Sequence, residues 1–314
     1  MSLPRRVVPN TTYLVTRRCL GRRFLLRPDA ALNQLFLYCL ALGAQRYGIA
    51  VHGLCVMSNH YHLTLTDVRG VLPDFMGWLN SQLAKRIKRL RCWDEVVWEP
   101  NVPYSAVELQ GEAEVLDKVA YTLLNPVSAG LVQQPEDWPG LVSTLTTLQP
   151  GRVQVERPKV GFKDNVPQSV TLSLAPPPCF RDHSQYLSAL RALVASRLQA
   201  LHAQWARQGR RVLGRRAVTK TSVTARPTTR KTRFGRSPKD PTEVGAGGIC
   251  NKGRRRALSA LRTAPSRDAH APTRQLNVRF RSTACRGPQI KTLQTHRGTL
   301  LAHWAHSGVR ITRY

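Results

Sequence analysis

Acidic side chains are scarce in this chain: 18 Asp and Glu stand against 48 Lys and Arg in 314 residues, a formal net charge of +30. That imbalance predicts a polyanionic partner, nucleic acid or an anionic membrane surface. The seven cysteines are odd in number and never spaced Cys-x-x-Cys, which argues against a disulfide framework or a structural zinc site and fits a reducing compartment. Long apolar runs are missing too. The longest, Ala30 to Ala44, is interrupted by Asn33 and Gln34 and is too short to span a bilayer. Asn10-Thr11-Thr12 follows the N-terminal arginines where a signal peptide would carry an apolar core, so the expected location is the cytoplasm. No internal repeat is present, and the basic back half lacks the interleaved bulky apolar residues of a membrane-surface helix. Nucleic acid is left as the favoured partner, with no membrane involved.

The charge is unevenly placed. Residues 1–150 carry 15 Lys and Arg against 12 Asp and Glu, whereas residues 151–314 carry 33 against 6. The near-neutral front half reads as a folded domain. Thr12 to Arg17 is β-branched and aromatic, as in a strand. Asp29 to Tyr47 has a helical stripe, with Asp29 as N-cap and Gly48 as stop. Ile49 to Met57 and His60 to Thr66 read as a hairpin broken at Ser58-Asn59, Leu72 to Leu90 as a second helix, and Val96 to Leu109 as holding a fourth strand. Glu112 to Leu124 reads as a third helix that Asn125-Pro126 should disturb or end. This order predicts an α+β, ferredoxin-like (RRM-like) antiparallel sheet with helices on one face plus one added helix.

The chemistry centres on His60-Tyr61-His62. Side chains two apart on a strand share a face, so the two imidazoles can share one metal ion while Tyr61 points the other way. Two histidines fill only part of a coordination sphere. The third helix offers Tyr121 and Asn125, one turn apart on one face: an amide oxygen for a hard cation and a phenol able to act as nucleophile. His52, at the head of the preceding apolar strand, reads as structural.

Val51-His52-Gly53-Leu54-Cys55-Val56-Met57-Ser58-Asn59-His60-Tyr61-His62-Leu63, followed by Tyr121-Thr122-Leu123-Leu124-Asn125-Pro126-Val127-Ser128-Ala129-Gly130-Leu131-Val132, resembles the single-tyrosine HUH transposases. Within the IS200-like group it is most like the REP-associated tyrosine transposases. The resemblance covers about residues 8–140 and rests on two motifs in the right order and separation. It implies a ferredoxin-like nuclease that nicks single-stranded, hairpin-forming DNA and transfers the strand through a 5′-phosphotyrosine. The matching residues are His60, His62 and Asn125 for a divalent ion, Mg²⁺ or Mn²⁺, and Tyr121 for the nucleophile. Three departures stand out: Ser58 where the family commonly has proline, Ser128 in place of an arginine, and a stretch from Lys239 to Tyr314 without helical period. That stretch carries 15 Lys and Arg against 3 Asp and Glu, as a divergent or frame-shifted terminus would.

The expected organisation is a nuclease domain at 1–145, a Pro-rich linker or extension at 146–180, a helical segment at 181–210 and a basic, largely disordered tail at 211–314. Arg17, Arg18, Arg22, Arg23, Lys85, Arg86, Lys88 and Arg89 are the expected phosphate contacts, and Trp98 and Tyr104 fit base stacking and core packing equally well. Monomer and homodimer are equally compatible with the sequence. The alternative function is a non-catalytic nucleic-acid-binding protein on the same fold, derived from a decayed transposase.

Overall fold

A computed structural model of the chain describes residues 7–148, 152–159, 161–162, 165–227 and 311–312. The elements run β1 (Thr11–Arg18), α1 (Ala30–Tyr47), β2 (Ile49–Met57), β3 (His60–Asp67), α2 (Leu72–Arg91), β4 (Ser105–Leu109), α3 (Gly111–Ser128), β5 (Arg152–Glu156), β6 (Ser169–Ser173), α4 (His183–Gln208), α5 (Arg215–Lys220) and β7 (Ile311–Thr312). The first four strands form one antiparallel sheet in the order β2-β3-β1-β4, the ferredoxin-like arrangement expected from the sequence. The expected disorder of the tail falls on residues 228–310, outside the described residues, as does most of the stretch from Lys239.

Alternation along β3 sorts its side chains onto two faces. Tyr61 turns toward the first two helices: its hydroxyl donates to Asn80 on α2 at 2.7 Å, and its ring meets Phe36 of α1 edge-on. Thr64 turns the other way and hydrogen-bonds Thr122 of α3 at 3.2 Å. Helices α1 and α2 thus cover one face, and α3 covers the face that carries the histidines.

Helix α1 begins where the Asp29 side chain accepts from the Leu32 amide and ends at Gly48, whose left-handed φ of 69° an L side chain would strain. It is buried nearly all round, with Asn33 and Gln34 inside as well as Leu35, Phe36 and Leu40. The cause lies in residues 146–180. Their described part is an extension of the fold: β5 and β6 pair antiparallel, β7 joins β5, and β5 and β6 lie on α1. Gln34 donates to the Glu156 carbonyl at 2.6 Å and Gln45 to that of Thr171 at 2.7 Å, which ties α1 to these strands, while Asn33 donates to the Pro139 carbonyl at 3.0 Å.

Helix α3 runs through Pro126 instead of ending before it. A proline in the last turn removes one amide donor, and the helical bond resumes at once from Ala129 to the Asn125 carbonyl at 3.1 Å. The outer side of α3 is covered by α4, which buries Tyr186, Leu190 and Val194 at four-residue spacing and pairs Arg197 with Asp117. Residues 181–210 therefore belong to the packing of α3. Residues 211–227, expected to open the disordered tail, contain α5 with Val218 buried.

His52 is structural, as its place in the strand suggested. It sits at a bulge in β2, donates from Nδ1 to the Ala175 carbonyl at 2.9 Å and accepts at Nε2 from Thr66 at 2.7 Å. Burial pushes its pKa down from 6.5 to about 4, partly opposed by the Ala175 bond. The unfolded chain therefore binds more protons in this window, and stability falls as pH drops from about 6.5 toward 4. Urea unfolding of the metal-free protein should show about 2 kcal/mol less loss between pH 7 and pH 4.5 in His52→Gln than in wild type. Equal losses in the two proteins would refute it.

Candidate metal and tyrosine site

His60 and His62 open β3, and strand pairing fixes both. His62 lies opposite Thr16 of β1 in the register, and Thr16 Oγ1 stands 2.8 Å from His62 Nδ1. His60 lies opposite Arg18, and its Nδ1 is 2.6 Å from Asn59 Oδ1. An amide oxygen only accepts, so Nδ1 of His60 carries the proton. That leaves Nε2 as the lone-pair end of the His60 ring, while the Thr16 hydroxyl can donate to or accept from His62 Nδ1. The rings meet edge-on with centroids 4.9 Å apart.

The third helix supplies the other half. The Tyr121 ring packs edge-on against His62 at 5.2 Å, and the Asn125 side chain hydrogen-bonds His60. Thr122, between them in sequence, ties α3 to the sheet through Thr64 and donates to the Lys118 carbonyl at 2.8 Å. All four residues expected from the two motifs are thus brought together. Tyr121 is 41% exposed and Asn125 is 8% exposed, so the site opens to solvent at the tyrosine and closes beneath it.

Electrostatics keep both imidazoles neutral. Burial lowers the His60 pKa to about 4, with Arg18 and Arg22 adding to the shift and the Asn125 bond opposing it. Burial, then His60, then Arg18 hold His62 well below its ordinary value. His62 Nε2 is buried and has no hydrogen-bond partner among the described residues. Leaving such a nitrogen unpaired costs roughly 1–3 kcal/mol. A divalent cation would fit this atom, because it needs a neutral, unprotonated imidazole nitrogen, and the His60 ring, itself bonded to Asn125, packs against His62. No group of three or more His, Cys, Asp or Glu side chains able to hold a metal occurs among the described residues. A cation placed here would have two imidazoles and one amide within reach.

The expected phosphate contacts divide. Arg18 and Arg22 stand where their charges act on His60, on the histidine side of the sheet. Arg17 alternates to the Tyr61 side, stacks on Trp98 at 5.9 Å and donates to the Val102 carbonyl. Arg23 packs on the Trp93 ring at 4.9 Å and donates to the Thr224 carbonyl at 3.2 Å. Lys85, Lys88 and Arg89 lie on α2, across the sheet from the histidines, with Lys88 bonded to the Asp94 carbonyl. Arg86 is a correction: it is buried, its guanidinium lies 3.6 Å over the Phe162 ring, and it donates to Gln82, so it is a packing residue. Of the two readings of Trp98, the core one holds: it is buried and donates to the Asn80 carbonyl at 2.9 Å. Thr16 and Asn59, which orient the imidazoles, were not singled out by the sequence. The strand register alone identifies Thr16.

No protein-family model and no curated protein sequence matches the chain. Among solved structures, it is similar to a REP-associated tyrosine transposase bound to a REP hairpin, at 20% identity over 45% of this chain and 81% of that one, with a TM-score of 0.38. A second similarity is to a candidate transposase from Deinococcus radiodurans R1, at 22% identity over 38% of this chain and 93% of that one, with a TM-score of 0.28.

Proposed function

We propose that the protein nicks and rejoins single-stranded, hairpin-forming DNA by metal-dependent tyrosine transesterification, the chemistry of a transposase. The observation that carries this reading is the convergence of His60, His62, Tyr121 and Asn125 around one buried, unpartnered imidazole nitrogen. His60, His62 and Asn125 would hold the cation, Mg²⁺ or Mn²⁺; when bound it would withdraw charge from the scissile phosphate. Tyr121 supplies the nucleophilic oxygen. Its Oη forms a bond to phosphorus, the bond from phosphorus to the 3′ oxygen breaks, and the product is a 5′-phosphotyrosine with a free 3′-OH. Water at the open mouth takes the phenolic proton, and the departing 3′ oxygen receives one in return. The ester conserves the bond energy, so rejoining to another 3′-OH needs no nucleotide cofactor. The neutral imidazoles need shed no proton to bind a cation at pH 7.

The test is incubation of the full chain with hairpin-bearing single-stranded DNA and Mn²⁺. A covalent adduct on a denaturing gel, lost on chelation, is expected; binding without an adduct would leave only the non-catalytic reading. The orienting role of Thr16 is separately measurable. Thr16→Val keeps a β-branched shape and drops the hydroxyl that holds His62 Nδ1. It should weaken Mn²⁺ binding by roughly 10–100-fold in a calorimetric titration. Unchanged affinity would show that Thr16 does not orient the ring.

A further inference from the structure

Residues 210–226 join the two halves of the site from outside. At one end, the amides of Leu213 and Gly214 donate to the carbonyls of Gly130 and Leu131 at 3.0 and 2.9 Å, and Arg210 donates to the Ala129 carbonyl at 3.1 Å. That turn closes α3, within one and a half turns of Asn125. Gly130 has a φ of 71°, a left-handed conformation that an L side chain would strain, and the Arg210 guanidinium packs against it.

At the other end, the Ala225 carbonyl accepts from the Phe24 amide at 3.1 Å, the Thr224 carbonyl from Arg23 and the Thr221 carbonyl from Arg27, each at 3.2 Å. The Arg226 guanidinium lies against Gly21, one residue from Arg22. This connector is in turn bonded to the head of the histidine strand. Cys19 donates to the Asn59 carbonyl at 2.8 Å, Leu26 to that of Ser58 at 2.9 Å, and Asn59 Nδ2 to that of Arg22 at 3.3 Å.

The segment between these anchors is one-signed. Residues 210–226 contain Arg210, Arg211, Arg215, Arg216, Lys220 and Arg226 and no Asp or Glu. Arg211, Arg215, Arg216, Lys220 and Arg226 are exposed, whereas Val218 faces inward. A disordered basic tail would bind phosphate without fixing where the strand runs. Here the backbone is pinned at both ends, so the cations have fixed places relative to Tyr121 on one side and to Arg18, Arg22 and His60 on the other.

We infer that residues 210–226 are a strap whose exposed arginines and Lys220 hold the phosphodiester backbone of the single DNA strand leading into the site. The identity of the strand rests on the proposed nuclease reading; the surface itself does not. A duplex is the poorer occupant, because the strap's two anchors frame the site, and a flexible strand can follow it into the mouth at Tyr121.

Amine footprinting of the full-length protein by acetylation and mass spectrometry, with an unlabelled single-stranded oligonucleotide in EDTA, tests this directly. Lys220 should be protected several-fold and Lys85, across the sheet, unaffected. An unprotected Lys220, or equal protection by a duplex of the same length, overturns the inference. Replacing Arg215, Arg216, Lys220 and Arg226 together by Gln should lower the magnitude of the salt dependence of oligonucleotide binding by about 3 logarithmic units per decade of salt. The pair K85Q and R89Q should leave it unchanged. An unchanged slope in the fourfold variant, with its melting temperature intact, also overturns it. Protection of Lys220 without any Tyr121 adduct would refute the nuclease and keep the strap; an adduct with Lys220 exposed would do the reverse.

Discussion

Tyr121→Phe is expected to abolish covalent capture of DNA while leaving the fold and DNA binding in place. The loss should be at least about 10⁴-fold in adduct formation, because the substitution deletes the one atom that forms the new bond. The fold should not notice. Tyr121 is 41% exposed, and its ring contact with His62, at 5.2 Å between centroids, is one phenylalanine can keep. Substitution by Phe should shift the melting temperature by no more than about 1–2 °C. Two tyrosines of the same sheet are turned away from the site. Tyr61 is buried on the opposite face with its hydroxyl on Asn80, and burial raises its pKa strongly; Tyr13, opposite Leu65 in the register, shares that face. Peptide mapping of the wild-type adduct should find the phosphodiester on Tyr121. An undiminished adduct in Tyr121→Phe would end the assignment.

Much of this site was legible because alternation in a strand and the turn of a helix are strict. The i, i+2 spacing put His60 and His62 together and Tyr61 behind them, and the i, i+4 spacing put Tyr121 and Asn125 on one face of α3. What escaped depends on contacts between residues distant in the chain. Thr16 reaches His62 only through the β1–β3 register, 46 positions apart. Arg86 and Arg18 are the same residue type in similar basic surroundings, yet one is buried over Phe162 and the other stands beside His60. Composition cannot separate them, since a guanidinium stacks on aromatics as readily as it meets phosphate. The strap was hidden for the opposite reason. Its order comes from backbone bonds to Gly130, Leu131 and Phe24, which any sequence can make, so its Arg-rich composition gave only the appearance of a tail. Pro126 misled in a third way: its missing amide matters in a helix interior and little in the last turn.

Removing the second histidine should separate stability from function. His62 is 5% exposed with Nε2 buried and unpartnered, while its Nδ1 is tied to Thr16. His62→Leu alone would leave the Thr16 hydroxyl without its imidazole, so the informative variant combines it with Thr16→Val. That pair replaces both polar partners by apolar groups of similar size, which is close to neutral or stabilising when a buried polar atom had been unsatisfied. Metal-free T16V/H62L should therefore melt at or up to a few degrees above the metal-free wild type. The response to metal should then reverse the order. A cation at 100 times its dissociation constant stabilises the folded state by about 2.7 kcal/mol, and the wild type should show that rise with Mn²⁺ while the variant shows none. Mn²⁺ should also act at lower concentration than Mg²⁺, because imidazole nitrogen favours the former. Adduct formation in the variant should fall by at least about 10³-fold, since Tyr121 would be intact but the phosphate it attacks would keep its full charge. Two results would break this account. A variant that Mn²⁺ still stabilises would place the cation elsewhere, and a metal-free variant less stable by more than about 2 kcal/mol would mean that His62 Nε2 contributes to the fold without any metal. A site that is costly without its ion and strong with it ties the unpaired nitrogen to catalysis; a site that is merely costly does not.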